Sequence, residues 1–268
     1  MEGKRSMRLA FCGTGQSMLN PQRAGAAIVV EQGGRALLLD CGPGALERLA
    51  AAAIPLTRIE AAWLSHLHFD HALGIAELLT RLAFAGEPLP PILGPRGTAD
   101  YVEGAVAYAR TQLRYLSGGR NVGRLDQIEV TEVASGDDRV SAGVRVQSIT
   151  VPHSEQIEAQ ARRLTTGGRS LVYGGDCRPA PEILVPFARG ADALIHECYS
   201  EEGLAAYAAR LRPEQGAALR KAFAESHSPV GEVAKIAQAA GVRTLVLTHL
   251  LPTENDEQLV VEARSAFA

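Results

Sequence analysis

Between Trp63 and Gly74 the chain reads W-L-S-H-L-H-F-D-H-A-L-G, which places three imidazoles and one carboxylate, His66, His68, Asp70 and His71, within six consecutive positions. Residues 61–64, just before them, form an apolar run that reads as a strand, and residues 72–85, just after, carry a helical apolar period. Burying so many ionisable groups between apolar segments is costly unless something pairs with them. The fold must therefore bring a counter-charge to this strand end. In an extended segment side chains alternate, so His66 and His68 share a face and can grip one cation together. Asp70 and His71 fall where strand turns into helix and leave that face, which suits them to a second cation beside the first. Imidazole and carboxylate donors suit zinc, with manganese or iron also accommodated, and two such ions about 3.5–4 Å apart can hold and activate a water between them.

Composition bounds the rest. At 268 residues and 46% hydrophobic content the chain can bury a sizeable core, and we expect a single domain over residues 1–268. A net charge of −3 offers no global field for a membrane or a polyanion, so a nucleic-acid partner is not favoured on charge. Residues 1–7 are polar with no apolar leader, and no run reaches about 18 apolar residues, so the expectation is a soluble, cytoplasmic protein without a membrane partner. Cys12, Cys41, Cys177 and Cys198 show no C-x-x-C spacing and sit near the ends of apolar runs, as small reduced core residues would.

In chain order, residues 8–12 read as a strand broken by Gly13-Thr14-Gly15, and residues 26–31 and 35–40 as a hairpin across Gly33-Gly34. That hairpin ends in L-L-L-D-C-G, so Asp40 would be buried and in need of partners, unless it caps the helix read over residues 44–53. Residues 91–93 read as a short strand and 97–110 as a helix, followed by a basic, glycine-containing stretch to Arg124 with Tyr115 inside it. Residues 140–151 read as strands ending in V-P-H-S, with His153 alone in its neighbourhood. Strand-like runs also lead into Gly174-Gly175-Asp176, into His196-Glu197-Cys198 and into His249, with Ser226-His227-Ser228 between the last two. Residues 201–225, with Leu204, Tyr207, Leu211, Leu219 and Phe223 about Pro213 and with Arg210, Arg212, Arg220 and Lys221, read as amphipathic helices packed on the domain, a lid or a dimer surface.

The H-x-H-x-D-H run resembles the signature of the metallo-β-lactamase superfamily, and the G-T-G turn, D-C-G, G-G-D, H-E and H-S elements resemble its ribonuclease Z and arylsulfatase/phosphodiesterase branch over about residues 8–249. The resemblance implies an αββα sandwich of two mixed β-sheets flanked by helices, a metallo-β-lactamase fold with its metals at one edge. Residue by residue it implies His66, His68 and His153 on one metal, Asp70, His71 and His249 on a second, and Asp176 bridging both. It implies two zinc ions per chain, a steadying role for Asp40 behind the ligands, and Glu197 with His227 assisting the leaving group. His196 is left over and reads as structural.

Such a site implies a dinuclear zinc-dependent hydrolase whose metal-bridging hydroxide is the nucleophile, with Asp70 placed to orient that water or take its proton. A paired acid suits an alkoxide leaving group better than a lactam or lactone, which favours small phosphodiesters or aryl sulfate esters. Ribonuclease Z carries a long arm for transfer RNA between the third ligand histidine and the bridging aspartate, whereas here only residues 154–175 intervene, and Phe69 stands where that enzyme usually has glycine. On this reading the substrate is a small-molecule ester, with a transfer-RNA 3′-processing endonuclease and a lactonase or β-lactamase as the alternatives. Homodimers are common in the group it resembles.

Overall fold

A computed structural model describes residues 7–268; the polar segment noted at residues 1–7 lies, apart from Met7, outside the described residues. The strands are β1 (Arg8–Gly13), β2 (Ala27–Gln32), β3 (Arg35–Leu39), β4 (Ile59–Trp63), β5 (Ile92–Gly94), β6 (Val130–Glu132), β7 (Asp138–Ser141), β8 (Val144–Val151), β9 (Ala159–Thr166), β10 (Arg169–Tyr173), β11 (Ala193–Glu197) and β12 (Thr244–Thr248). They form two six-stranded sheets, ordered β1-β2-β3-β4-β5-β6 and β12-β11-β10-β9-β8-β7. Each sheet is antiparallel at one side and parallel at the other.

Alternation explains why the sheets stack. In β2, Ile28 and Val30 face the layer between the sheets while Ala27 and Val29 face the helices; in β3, Leu37 and Leu39 point inward and Leu38 outward. Both faces are covered, so these strands read as unbroken apolar runs. Trp63, Leu93, Val146, Leu164, Leu171 and Ile195 fill the same inter-sheet layer. Losing one such side chain, as in Leu37→Ala, removes about 2–5 kcal/mol.

Helices α1 (Ala45–Ala51), α2 (Phe69–Ala72), α3 (Gly74–Ala85) and α4 (Thr98–Ser117) flank the first sheet, with Ile75, Leu78, Leu79 and Leu82 of α3 buried against it. Helices α5 (Pro181–Ala188), α6 (Glu201–Ala208), α7 (Pro213–Ser226), α8 (Val230–Ala240) and α9 (Asp256–Arg264) belong to the second half. Ile236, Ala237 and Ala240 of α8 and Leu184 of α5 share a core over the second sheet, while α6 and α7 pack through Leu204 and Phe223 on Tyr199 and Leu251. The αββα sandwich expected from the motif is the fold observed. Among the described residues no helix is long and apolar enough to cross a membrane, and all four cysteines are free and buried.

Two elements differ from the sequence reading. The helix read over 97–110 runs on to Ser117 and stops at Gly118, whose φ of 61° lies in the left-handed region. The helix after the histidine cluster starts earlier, at Phe69, as the separate short turn α2 before α3. The short interval between His153 and Asp176 is filled by the antiparallel hairpin β9–β10.

Candidate metal centre

The nine residues to which the resemblance gives a metal or leaving-group role meet where the strand ends of the two sheets converge. Strand β4 stops at Trp63, and the next residues carry His66 and His68 to the sheet edge before the backbone coils into α2, which holds Asp70 and His71. His153 follows β8, Asp176 follows β10, Glu197 ends β11 and His249 follows β12. His227 is the residue at which α7 ends.

Two sets of ligand atoms face each other. In the first, His66 Nε2 and His68 Nδ1 lie 3.1 Å apart and His153 Nε2 lies 3.2 Å from His68 Nδ1. That is close to the edge, about 3.3 Å, of a tetrahedron built on metal–nitrogen distances of about 2.0–2.1 Å. In the second, His249 Nε2 is 3.1 Å from Asp70 Oδ2, which is 3.8 Å from His71 Nε2. Asp176 stands between them. Its Oδ2 is 3.8 Å from His66 Nε2, 3.9 Å from His153 Nε2 and 3.2 Å from His249 Nε2, while its Oδ1 faces His71 Nε2 at 3.3 Å. The backbone reaches this position through Gly174, where a Cβ would lie 2.7 Å from the His196 ring, and Gly175, whose φ is 62°.

The residues fit a cation. Among the described residues His71 Nε2, Asp176 Oδ1 and His249 Nδ1 are buried without a hydrogen-bond partner, although buried polar atoms are almost always satisfied. Four carboxylates, Asp40, Asp70, Asp176 and Glu197, are each at most 4% exposed, and among the described residues no lysine or arginine pairs with any of them. Buried negative charge of that density calls for a positive charge from the histidines or from a metal. Burial, then the neighbouring His71, holds the His66 imidazole well below its usual pKa, and burial with His153 lowers His68, so both are neutral as ligands must be. Asp176 is buried, which opposes ionisation, yet the His249 and His71 rings hold its carboxyl well below the usual range.

Behind the ligands, Asp40 accepts from Ser65 N at 2.6 Å, Ser65 Oγ at 2.8 Å, Tyr173 OH at 2.6 Å and His71 Nδ1 at 2.8 Å. It does not cap α1, whose first residue follows Gly44 with no side-chain cap. Its carboxylate instead fixes the proton on His71 Nδ1 and turns Nε2 toward the cluster. His153 is oriented by a different device: its Nδ1 donates to the Ser226 carbonyl at 2.9 Å, at the end of α7. His196 belongs to none of the ligand groups; it is fully buried, and its Nδ1 donates to the Glu197 carbonyl at 2.7 Å.

Beside the ligands, His227 Nδ1 donates to Glu197 Oε2 at 2.6 Å, and the other carboxylate oxygen accepts from Cys177 N at 2.7 Å. Burial lowers the His227 pKa, but the Glu197 carboxylate outweighs it and pushes the imidazole up to about 9. His227 Nδ1 is 4.0 Å from Asp176 Oδ2, and its ring stacks on that of His249, centroids 5.6 Å apart and 22° from parallel. The pair thus sits against the bridging position.

Several supporting residues escaped the sequence reading. Ser65 and Tyr173 adjoin His66 and the G-G-D turn, so a polar residue closing an apolar run beside a ligand is the signal that marks them. Arg162 gave none. It is 1% exposed, its Nη2 donates to the Leu64 carbonyl at 3.0 Å, its Nη1 donates to Gln160 Oε1, and its guanidinium lies 5.4 Å from the Trp63 ring centroid. Gln160 N donates to the Ser65 carbonyl at 2.9 Å, so β9 grips the ligand loop from the opposite sheet. Burial pulls the Arg162 guanidinium down to about 10 against the opposing pull of Asp40.

Comparison with known proteins adds the following. The family described as Beta-lactamase superfamily domain matches residues 35–250. A ribonuclease Z of Mycobacterium bovis is 33% identical over 251 residues, which cover 92% of this chain and 86% of that protein. Among solved structures, the metallo-beta-lactamase fold protein YhfI of Bacillus subtilis superposes with a TM-score of 0.75 at 23% identity, covering 98% of this chain and 94% of that one. The short form of human tRNase Z superposes with a TM-score of 0.65 at 23% identity, covering 93% of each.

Proposed function

Because the chain belongs to the metallo-β-lactamase superfamily and is a metal-dependent hydrolase, we propose that it cleaves phosphodiesters in RNA at a 3′ extension, as a ribonuclease Z does. The observation that carries this reading is the 2.6 Å His227–Glu197 pair set 4.0 Å from the carboxylate that faces both ligand sets. A phosphodiester expels an alkoxide, which needs a proton, and an imidazole held up to about 9 retains one at neutral pH. Likeness to proteins named ribonuclease Z supports RNA over a sulfate ester, and outweighs the preference for small esters drawn from sequence alone.

In this reading His66, His68 and His153 would hold one zinc, Asp70, His71 and His249 would hold a second, and Asp176 would serve both sets. When bound, the metals supply a hydroxide near neutral pH and offset charge building on the phosphoryl oxygens. Asp70, on the second ligand set, orients the attacking water. Glu197 holds the Nδ1 proton of His227, which leaves Nε2 to deliver a proton to the leaving oxygen. Asp40 and the Ser226 carbonyl hold His71 and His153 in the tautomers that point Nε2 inward.

A second reading, hydrolysis of small phosphodiesters, is favoured by one observation. Residues 154–175 are taken up by the approach to β9 and by the β9–β10 hairpin within the sheet, which leaves no arm for transfer RNA. Incubating zinc-loaded protein with a precursor transfer RNA bearing a 3′ trailer, and with bis(p-nitrophenyl) phosphate, separates the two. Cleavage at the base of the trailer supports the RNA reading; turnover of the diester with intact precursor at enzyme excess replaces it with the second.

A further inference from the structure

Ser228 directly follows the proton donor, and its surroundings tie that donor to the bridging carboxylate. His227 has already left α7, with φ −124° and ψ 167°, so the His227 and Ser228 side chains point to opposite sides of an extended segment. His227 meets Glu197 on one side; Ser228 is fully buried on the other. A serine just ahead of a helix ordinarily caps it, and α8 begins two residues later. Here the N-cap is Pro229, and no side chain caps the helix. The Ser228 hydroxyl donates instead to the Cys177 carbonyl at 2.6 Å.

Cys177 is the residue after Asp176, and both polar groups of its backbone are engaged by the acid pair and its neighbour. Its carbonyl accepts from Ser228, and its N–H donates to Glu197 Oε1 at 2.7 Å. Glu197 Oε2 in turn accepts from His227 Nδ1 at 2.6 Å. The contacts close into a ring, from Ser228 to Cys177 to Glu197 to His227 and back through the peptide bond between residues 227 and 228. Outside the ring, Tyr199 N donates to the Ser228 carbonyl at 3.1 Å and Val230 N to the Tyr199 carbonyl at 2.9 Å, which lays residues 228–230 beside the chain leaving Glu197.

The hydrogen bond between His227 and Glu197 sets the distance within the pair but not where the pair sits along Asp176. The ring supplies that second constraint, because the Cys177 backbone moves with Asp176. We infer that Ser228 is a positioning residue: through Cys177 it keeps the His227–Glu197 pair in register with Asp176, so that the proton is delivered where the leaving oxygen departs. The inference rests on the reading of His227 and Glu197 as the pair that protonates that oxygen, which both substrate readings share. Such alignment matters because a reacting group misplaced by about 1 Å can cost about 10²-fold in rate.

The test compares two kinds of leaving group on zinc-loaded protein. One substrate is the trailer-bearing precursor, or a 3′,5′-linked dinucleotide if the precursor stays intact, each of which expels a ribose alkoxide. The other is bis(p-nitrophenyl) phosphate, whose p-nitrophenolate leaves without a proton. Ser228→Ala is expected to slow the alkoxide substrate about 10- to 100-fold while nitrophenolate release changes by less than about twofold. Zinc content by mass spectrometry should equal that of the wild type. Ser228→Cys, close to serine in size but with a weak S–H donor, is expected to fall between the two and carries the test should the alanine protein fold poorly. Glu197→Gln is the reference. If it separates the two substrates while the Ser228 variants match the wild type or slow both substrates alike, the inference is overturned and the acid pair stands. If Glu197→Gln slows both alike, or the wild type releases nitrophenolate and cuts neither alkoxide ester, the acid-pair reading falls and the inference falls with it.

Discussion

The two sheets have the same number of strands and similar mixtures of parallel and antiparallel pairing, yet they furnish the metal centre in opposite ways. The first sheet delivers His66, His68, Asp70 and His71 from one loop and one helical turn, backed by a single buried carboxylate. The second delivers His153, Asp176, Glu197, His227 and His249 from five separate chain segments. A local cluster depends on the residues beneath it; a dispersed one depends on the register of the whole sheet. Each device has its own weak point, and the sites of greatest sensitivity follow from that.

The largest effect belongs to the dispersed half. Asp176→Ala removes the carboxylate that faces both ligand sets, and turnover of bis(p-nitrophenyl) phosphate should fall by ~10³-fold, the upper end for deleting one electrostatic group at a reacting centre. Metal content by mass spectrometry should fall with it; a variant that keeps full metal and full rate would place the centre of the site elsewhere. Next comes the local half. Asp40→Ala leaves Ser65, Tyr173 and His71 without their shared acceptor, and chelator competition should show metal affinity lowered about 10- to 100-fold. If affinity is unchanged, the cluster at 66–71 orders itself without support, and the contrast between the halves is weaker than drawn.

Glu197→Gln should affect substrates unequally. Without the carboxylate that keeps His227 protonated, esters with alkoxide leaving groups should slow by about 10²-fold, whereas p-nitrophenolate leaves unaided and its release should change little. Equal losses on both would make the pair a structural ion pair. The smallest effect is a titration. In metal-free protein the His227 ring should titrate near 9 by NMR, and Glu197→Gln should bring it down. Because the folded pKa is raised, the stability from this pair is complete below the unfolded value of about 6.5 and is lost as pH rises through about 9.

The same contrast explains what could be read from the sequence. His66, His68, Asp70 and His71 announce themselves because four ligand types within six positions need no fold to interpret. Asp40 is legible for a related reason: a carboxylate closing three leucines must find partners. His153, His227 and His249 are single histidines after strands or helices, and only resemblance to a family orders them into a site. Arg162 and the Ser226 carbonyl lie beyond either route. Their roles arise from contacts between β9 and the ligand loop, and between α7 and His153, which no local pattern encodes.

The order of the strands has one more consequence. Strands β1 to β6 stay in the first sheet and β7 to β12 in the second, so among the described residues the strand order passes between the sheets only once, in the connection after β6 at residues 133–137. Three of the four ligand groups nevertheless draw side chains from both sides of that crossing: His66 and His68 with His153, His66 and His71 with Asp176, Asp70 and His71 with His249. A bound ion therefore acts as a further staple between two halves that are also joined by apolar contact, by one short tether and by the Arg162–Leu64, Gln160–Ser65 and Tyr173–Asp40 hydrogen bonds. By mass action, free metal at a thousand times its dissociation constant adds about 4 kcal/mol to the folded state, in which both halves must be in place to offer it the ligands.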